Sequence, residues 1–216
     1  MITLYNVPVS SYGSKIRIIL DHKSLDWTEI PPPDGYGSVA YKAVIPAGTV
    51  PAIDHDGFRL ADSEAIAEYL DTVFPAPAMR PDAPKAAAAA REISRFHDTR
   101  IEPLVRSYFS QFTPANRDAA LIAANAALLQ TRLDDLAAIA APAPLMTGDN
   151  LAIADCGFVA SFTIIALLQD ILHLPVTLPP AIATYRESLL AHPDVAGEYA
   201  RYSAVLDEWA ATKLNA

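Results

Sequence analysis

Three short segments of this 216-residue chain combine residue types that could do chemistry. Ser10 and Ser11 sit in a turn-like run, Ser-Ser-Tyr-Gly-Ser, directly before an apolar pattern at residues 15–22 that reads as a helix. A hydroxyl at a helix start can cap the helix. It can also donate to an anion, because the first backbone amides are unpaired and the helix dipole is positive there. Asp62 and Ser63 repeat the arrangement before a second helical pattern, residues 62–74. Ser63 and the free amides suit a carboxylate, and Asp62 suits an ammonium. Between them, Val50-Pro51 reads as the start of a short strand.

Other reactive types fall outside such patterns. Cys156 is the single cysteine and lies in the most apolar stretch, so it reads as a buried thiol and no internal disulfide can form. The five histidines show no metal-ligand spacing, so no metal is expected. His97-Asp98, with Arg100 and Arg106, reads first as a solvated charged face and second as a basic group that recognises an anionic partner.

The elements that must hold these residues alternate at first. Strands are expected at residues 2–5, 27–30, 50–54 and 58–60, with a helix at 15–22 and a short one at 39–44. Asp56-Gly57 between two apolar runs signals a hairpin. Pro75, Pro77, Pro81 and Pro84 then crowd one stretch and mark a linker. Beyond it the chain reads as helix throughout: a long run to residue 112 kinked at Pro103, then 114–139, 151–172, 180–190 and 193–214. The fold expected is an α/β unit of βαβ-ββα order at residues 1–76, a linker at 77–84 and an all-α bundle at 85–216.

Hydrophobic residues make up 52% of the chain and charged residues 19%, which fits a packed globular protein. A net charge of −9 argues against nucleic acid as a partner. The apolar stretch 156–168 is broken by Gly157, Ser161 and Thr163 and is expected to be a core helix rather than a membrane span. A cytoplasmic protein is the expectation.

The order βαβ-ββα followed by a helical bundle resembles the glutathione transferase superfamily, which implies a thioredoxin-like first domain, and local motifs carry the resemblance further. Ile45-Pro-Ala-Gly-Thr-Val-Pro-Ala-Ile53 is similar to that family's Asn-Pro-x-Gly-x-Val-Pro-x-Leu segment, with Ile45 in place of Asn. Leu60-Ala-Asp-Ser-Glu-Ala-Ile-Ala-Glu-Tyr-Leu70 is similar to its Glu/Asp-Ser-x-Ala-Ile-x-x-Tyr-Leu segment. Ser10-Ser-Tyr-Gly-Ser-Lys-Ile-Arg17 resembles the start of serine-type members, nearest the zeta class, with Tyr12 where that class has cysteine. Gly148 to Asp155 resembles the capping segment of a buried helix, with Ala152 where a Ser or Thr is usual.

The resemblance implies a cis Pro51, a Val50 backbone that pairs with the cysteinyl part of glutathione, and a γ-glutamyl site at Asp62 and Ser63. Thr49 and Lys42 match positions near the glycyl end. Ser11 or Ser10 would stabilise the thiolate, with a slight lean to Ser11 as the nearer to the helix start. Tyr12, Arg106, Tyr108 and Phe109 are the candidates for a second-substrate pocket. The implied function is transfer of glutathione to an apolar electrophile, by a homodimer with no membrane partner. The alternatives are a zeta-type isomerase or dehalogenase, which Tyr12 argues against, and a non-catalytic binding protein on the same scaffold.

Overall fold

The computed structural model describes all 216 residues. Strand β1 (Ile2–Tyr5) leads through helix α1 (Ser11–His22) to β2 (Trp27–Ile30), which pairs parallel to β1. A short helix α2 (Val39–Val44) precedes the hairpin β3 (Ala52–His55) and β4 (Phe58–Ala61), and helix α3 (Ser63–Val73) follows. The sheet order is β2-β1-β3-β4, with β3 antiparallel to both neighbours. At the hairpin tip Asp56 and Gly57 both take positive φ, as a tight two-residue turn requires. This mixed sheet with its helices is the thioredoxin-like unit expected.

Two boundaries differ from expectation for local reasons. Helix α1 starts four residues earlier than the apolar pattern, because the Ser10 hydroxyl oxygen caps it by accepting from the Gly13 N–H at 3.0 Å. Strand β3 starts at Ala52 rather than residue 50, since Pro51 has no N–H for the ladder.

The rest is helical, with α4 (Pro84–Phe96), α5 (Glu102–Ser107), α6 (Ala119–Ile139), α7 (Ile153–Cys156), α8 (Phe158–Leu172), α9 (Pro180–Leu190) and α10 (Pro193–Leu214). The expected long helix kinked at Pro103 is instead interrupted upstream. Residues His97–Ile101 form a π-helical turn in which the Glu102 N–H donates to the His97 carbonyl. Pro103 lacks the N–H that would continue the α ladder, and the turn before it widens. After α5 the chain tightens into a 3-10 turn, Tyr108–Phe112.

Helix α1 lies at the junction, with Ile16, Ile18, Ile19 and Leu20 fully buried. One continuous apolar cluster runs from Ile2 and Leu4 through α1 and α3 to α8 and α10. The segment Ile153–Leu172 is in fact long and apolar enough to cross a membrane, but most of it is buried inside the bundle. Asp155 serves the fold: its carboxylate accepts from the Met146 and Ala152 N–H groups at 2.9 Å and from the Tyr185 hydroxyl at 3.0 Å. Ala152 offers no side-chain cap in return.

Candidate active site

The two serines at the start of α1 have different hydrogen bonds. Ser10 is half-buried, and its hydroxyl oxygen accepts from Gly13 while its own proton has no acceptor in the chain. Ser11 is buried and donates its proton to Glu102 Oε1 at 2.6 Å. Glu102 comes from the first turn of α5, where the π turn aims it back at α1. Its Oε1 also takes Arg106 Nε at 3.0 Å, while Oε2 is buried without a partner. Tyr12 donates its hydroxyl to the Asp98 carbonyl at 2.8 Å, and the Arg106 guanidinium lies 5.7 Å from its ring centroid. Burial and the Glu102 charge push the Tyr12 hydroxyl far above the ordinary tyrosine range, so it stays a neutral donor.

Opposite α1, the turn into β3 exposes backbone. The Val50-Pro51 peptide is cis. Neither the N–H nor the C=O of Val50 forms a hydrogen bond within the chain. At the next helix start, Asp62 caps α3 with Oδ1, accepting from the Glu64 and Ala65 N–H groups at 3.0 and 3.1 Å. Asp62 holds φ at +82°, an unusual backbone state for an aspartate, of the kind that concentrates at functional sites. The neighbouring Ser63 hydroxyl has no partner in the chain.

These residues line two adjoining clefts. The first, about 280 Å³, includes Val50, Pro51, Asp62, Ser63 and Arg95. The second, about 480 Å³, includes Ser10, Ser11, Glu102, Phe109, Trp209 and Lys213. Tyr12, Thr49, Val50 and Arg106 belong to both and form the shared wall. The larger volume is within the range of small-molecule sites.

Behind the clefts stands a closed ionic network. Lys15, fully buried on α1, donates to Glu64 at 2.6 Å, to Asp98 at 2.9 Å and to Ser94 at 3.2 Å. The other Asp98 oxygen meets His97 Nδ1 at 2.9 Å, and His97 Nε2 meets Ser161 at 2.8 Å. The expectation of a solvated His97-Asp98 face is therefore wrong: the π turn rotates both inward, leaving them 2% and 6% exposed. Burial works against both charges of the Lys15–Asp98 pair. For Asp98 the His97 hydrogen bond and then the Lys15 charge outweigh it, and for Lys15 the Asp98 and Glu64 charges do. Lys15 is held above the ordinary lysine range and Asp98 is pushed down to about 2.

Ten of the twelve residues expected at the site line one or both clefts, and two do not. Tyr108 is fully buried and donates to the Ile122 carbonyl at 3.2 Å, because the 3-10 turn directs residue 108 to the core and residue 109 to the cleft. Lys42 lies outside both clefts, exposed on α2, with its stem against Gly48. Glu102, Tyr36, Trp209 and Lys213 line the larger cleft and were not anticipated. Their sequence contexts hold no motif; only packing brings the end of α10 over the start of α1. Cys156 is fully buried, and burial raises its thiol far above the ordinary range, as a structural cysteine requires. No cluster of potential metal ligands is present.

Residues 4–78 match the family model for the glutathione S-transferase N-terminal domain. A probable glutathione S-transferase of Oryza sativa subsp. japonica is 27% identical over 97% of this chain and 96% of its own length. The maleylacetoacetate isomerase of Pseudomonas aeruginosa is 36% identical over 107 residues, which is 47% of this chain and 50% of the isomerase. Among solved structures, a tau-class glutathione S-transferase from mango, Mangifera indica, superposes with a TM-score of 0.80 over 99% of this chain and 98% of its own; at 18% identity that likeness speaks for the fold alone. The N-terminal match, the whole-length relative and the shared fold agree: residues 4–78 match a glutathione S-transferase N-terminal domain, and the chain as a whole is similar to glutathione S-transferases.

Proposed function

We propose that the protein is a glutathione transferase that holds glutathione in the smaller cleft and attacks an electrophile in the larger one. One observation carries this reading: the unpaired Val50 amide and carbonyl and the unpaired Ser63 hydroxyl converge on the smaller cleft beside the capping carboxylate of Asp62. Val50 suits the cysteinyl backbone as an added strand, and the start of α3 suits the γ-glutamyl group. Thr49 serves the glycyl end. The working unit for glutathione is then residues 1–76, with residues 85–216 shaping the second pocket across the linker 77–84. A homodimeric, cytoplasmic enzyme fits this reading.

Ser10 is the thiolate donor in this scheme. Its proton is free, whereas the Ser11 proton is engaged by Glu102. A free thiol ionises near pH 8.5, and a charge-assisted hydrogen bond of about 1.5–3 kcal/mol lowers that value towards neutrality. The start of α1 adds to the effect. The thiol proton leaves to solvent, and the thiolate attacks within the adjoining cleft, so proximity supplies the remaining gain.

Calorimetry with glutathione, together with the ultraviolet difference spectrum of its thiolate, tests this directly. Binding with thiolate formation at neutral pH is expected. Ser10→Ala should lower turnover roughly 10- to 100-fold with a much smaller change in glutathione affinity, and Ser10→Thr should restore it. Full turnover in both Ser10→Ala and Ser11→Ala would sink the mechanism. No binding at millimolar glutathione would leave a non-catalytic binding protein on this fold.

A second reading, a maleylacetoacetate isomerase-like activity, is favoured by the 36% identity over half the chain and by the Ser10-Ser11 pair. Turnover of a cis-dienoic diketo acid would establish it.

A further inference from the structure

We propose that the larger cleft selects aromatic electrophiles that carry a carboxylate, with Lys213 as the residue that determines this specificity. The inference rests on the transferase reading and names its substrate class. Six of the 16 basic side chains form no ion pair, and a single one of the six lines either cleft. Lys213 is that one, and it lines the larger cleft with its ammonium 5.9 Å from the Trp209 ring centroid. That indole is held in place by Phe109 and Phe112, at centroid distances of 4.7 and 5.1 Å. Phe109 and Trp209 thus offer a fixed aromatic surface, with a positive charge at one end of it.

The two other charged side chains of this cleft, Glu102 and Arg106, are paired with each other. Glu102 is 1% exposed, its Oε1 is shared by Ser11 and Arg106, and its Oε2 has no partner. Arg106 spends its charge on that carboxylate, so Lys213 remains the free cation of the cleft. A ring with a carboxylate therefore gains an orienting contact, carboxylate to Lys213 with the ring on Phe109 and Trp209, in the cleft that Ser10 also lines. A neutral ring has no such bias.

The probes are 4-chloro-3,5-dinitrobenzoate and the neutral 4-chloro-3,5-dinitrobenzamide. In both, the glutathione sulfur bonds to the ring carbon bearing chlorine, chloride leaves with the bonding pair, and the thiol proton passes to solvent. The wild-type protein should favour the benzoate by about tenfold in kcat/KM after correction for uncatalysed rates, equivalent to about 1.4 kcal/mol. Lys213→Met should bring that ratio close to one, and Lys213→Arg should retain it. An equal preference in the wild type, or a ratio unchanged in Lys213→Met, overturns the proposal and leaves the transferase reading standing. If the wild type conjugates neither compound, the transferase reading fails. Quenching of tryptophan fluorescence by unreactive 3,5-dinitrobenzoate and 3,5-dinitrobenzamide then decides this proposal by itself. Tighter benzoate binding that is lost in Lys213→Met supports it, and equal binding of the two overturns it.

Discussion

Two polar clusters stand back to back on the same stretch of chain, one turn apart, and they differ in a single respect. The cluster around Lys15, Glu64, Ser94, His97 and Asp98 is buried and hydrogen-bonded throughout, and Arg95 brings a second cation to Asp98 at 3.4 Å. The cluster at the clefts leaves groups unsatisfied: Glu102 Oε2, the Ser63 hydroxyl, the Val50 backbone and the Lys213 ammonium. Of these only Glu102 Oε2 is shut off from water; the others face the clefts, where water or a ligand can pair them. Residue type does not separate the two clusters, since each holds serine, glutamate and a basic side chain. Completeness does. The closed cluster joins α1 and α3 to the helical half, and the open one faces the space between them.

The contrast can be broken most severely from the closed side. Lys15→Met leaves Glu64 and Asp98 buried without their countercharge, and about 3–5 kcal/mol of stability should be lost, a fall in Tm on the order of 10 °C. A loss below about 1 kcal/mol by chemical denaturation would show the network to be open to water. By contrast, Ser10→Ala in the open cluster should cost only the helix cap, about 1 kcal/mol, while taking most of the turnover.

Acid provides the next test. The folded Asp98 carboxyl ionises at about 2, below the ordinary value of about 3.9, so folding favours its charged form. Its contribution is complete above about pH 5 and is lost as pH falls through 4 towards 2, a loss on the order of 2 kcal/mol. Urea unfolding measured from pH 6 to pH 3 should show the decline begin below pH 5. Asp98→Asn should flatten this part of the profile; an unaltered slope would move the acid sensitivity elsewhere.

The smallest effect concerns a position where the fold itself is incomplete. Asp155 reaches back to the Ala152 N–H, but Ala152 has no oxygen to return. Ala152→Ser supplies it and should raise stability by about 0.5–2 kcal/mol, or a few degrees in Tm. A lower Tm would mean that this buried position, 2% exposed, has no room for the added oxygen.

Much of the fold was legible because it rests on local signals. The hairpin is written in Asp56-Gly57 and the helix starts in Ser10 and Asp62, whereas Pro84, read as part of a linker, opens helix α4. The site was legible where it coincides with those signals, since chain turns and helix starts are where backbone groups go unpaired. Thr49 to Pro51, Asp62, Ser63 and the two serines all belong to this class.

The remainder depended on rotation and on distant packing. The sequence shows a proline at position 103 but not that the helix would widen from His97 onward, turning His97 and Asp98 inward and Glu102 towards Ser11. Nor does it show that the 3-10 turn buries Tyr108 and presents Phe109. Lys213 and Trp209 reach the cleft only because α10 packs along α1, some two hundred residues away in the chain. What the sequence determined by itself was the set of elements and the helix starts that can hold an anion, because hydrogen-bonding needs at a turn or cap are local. Which serine keeps a free proton, which charges are spent on one another and which remain for a ligand were decided by the tertiary structure, because a buried charge is satisfied by whatever the fold brings within reach.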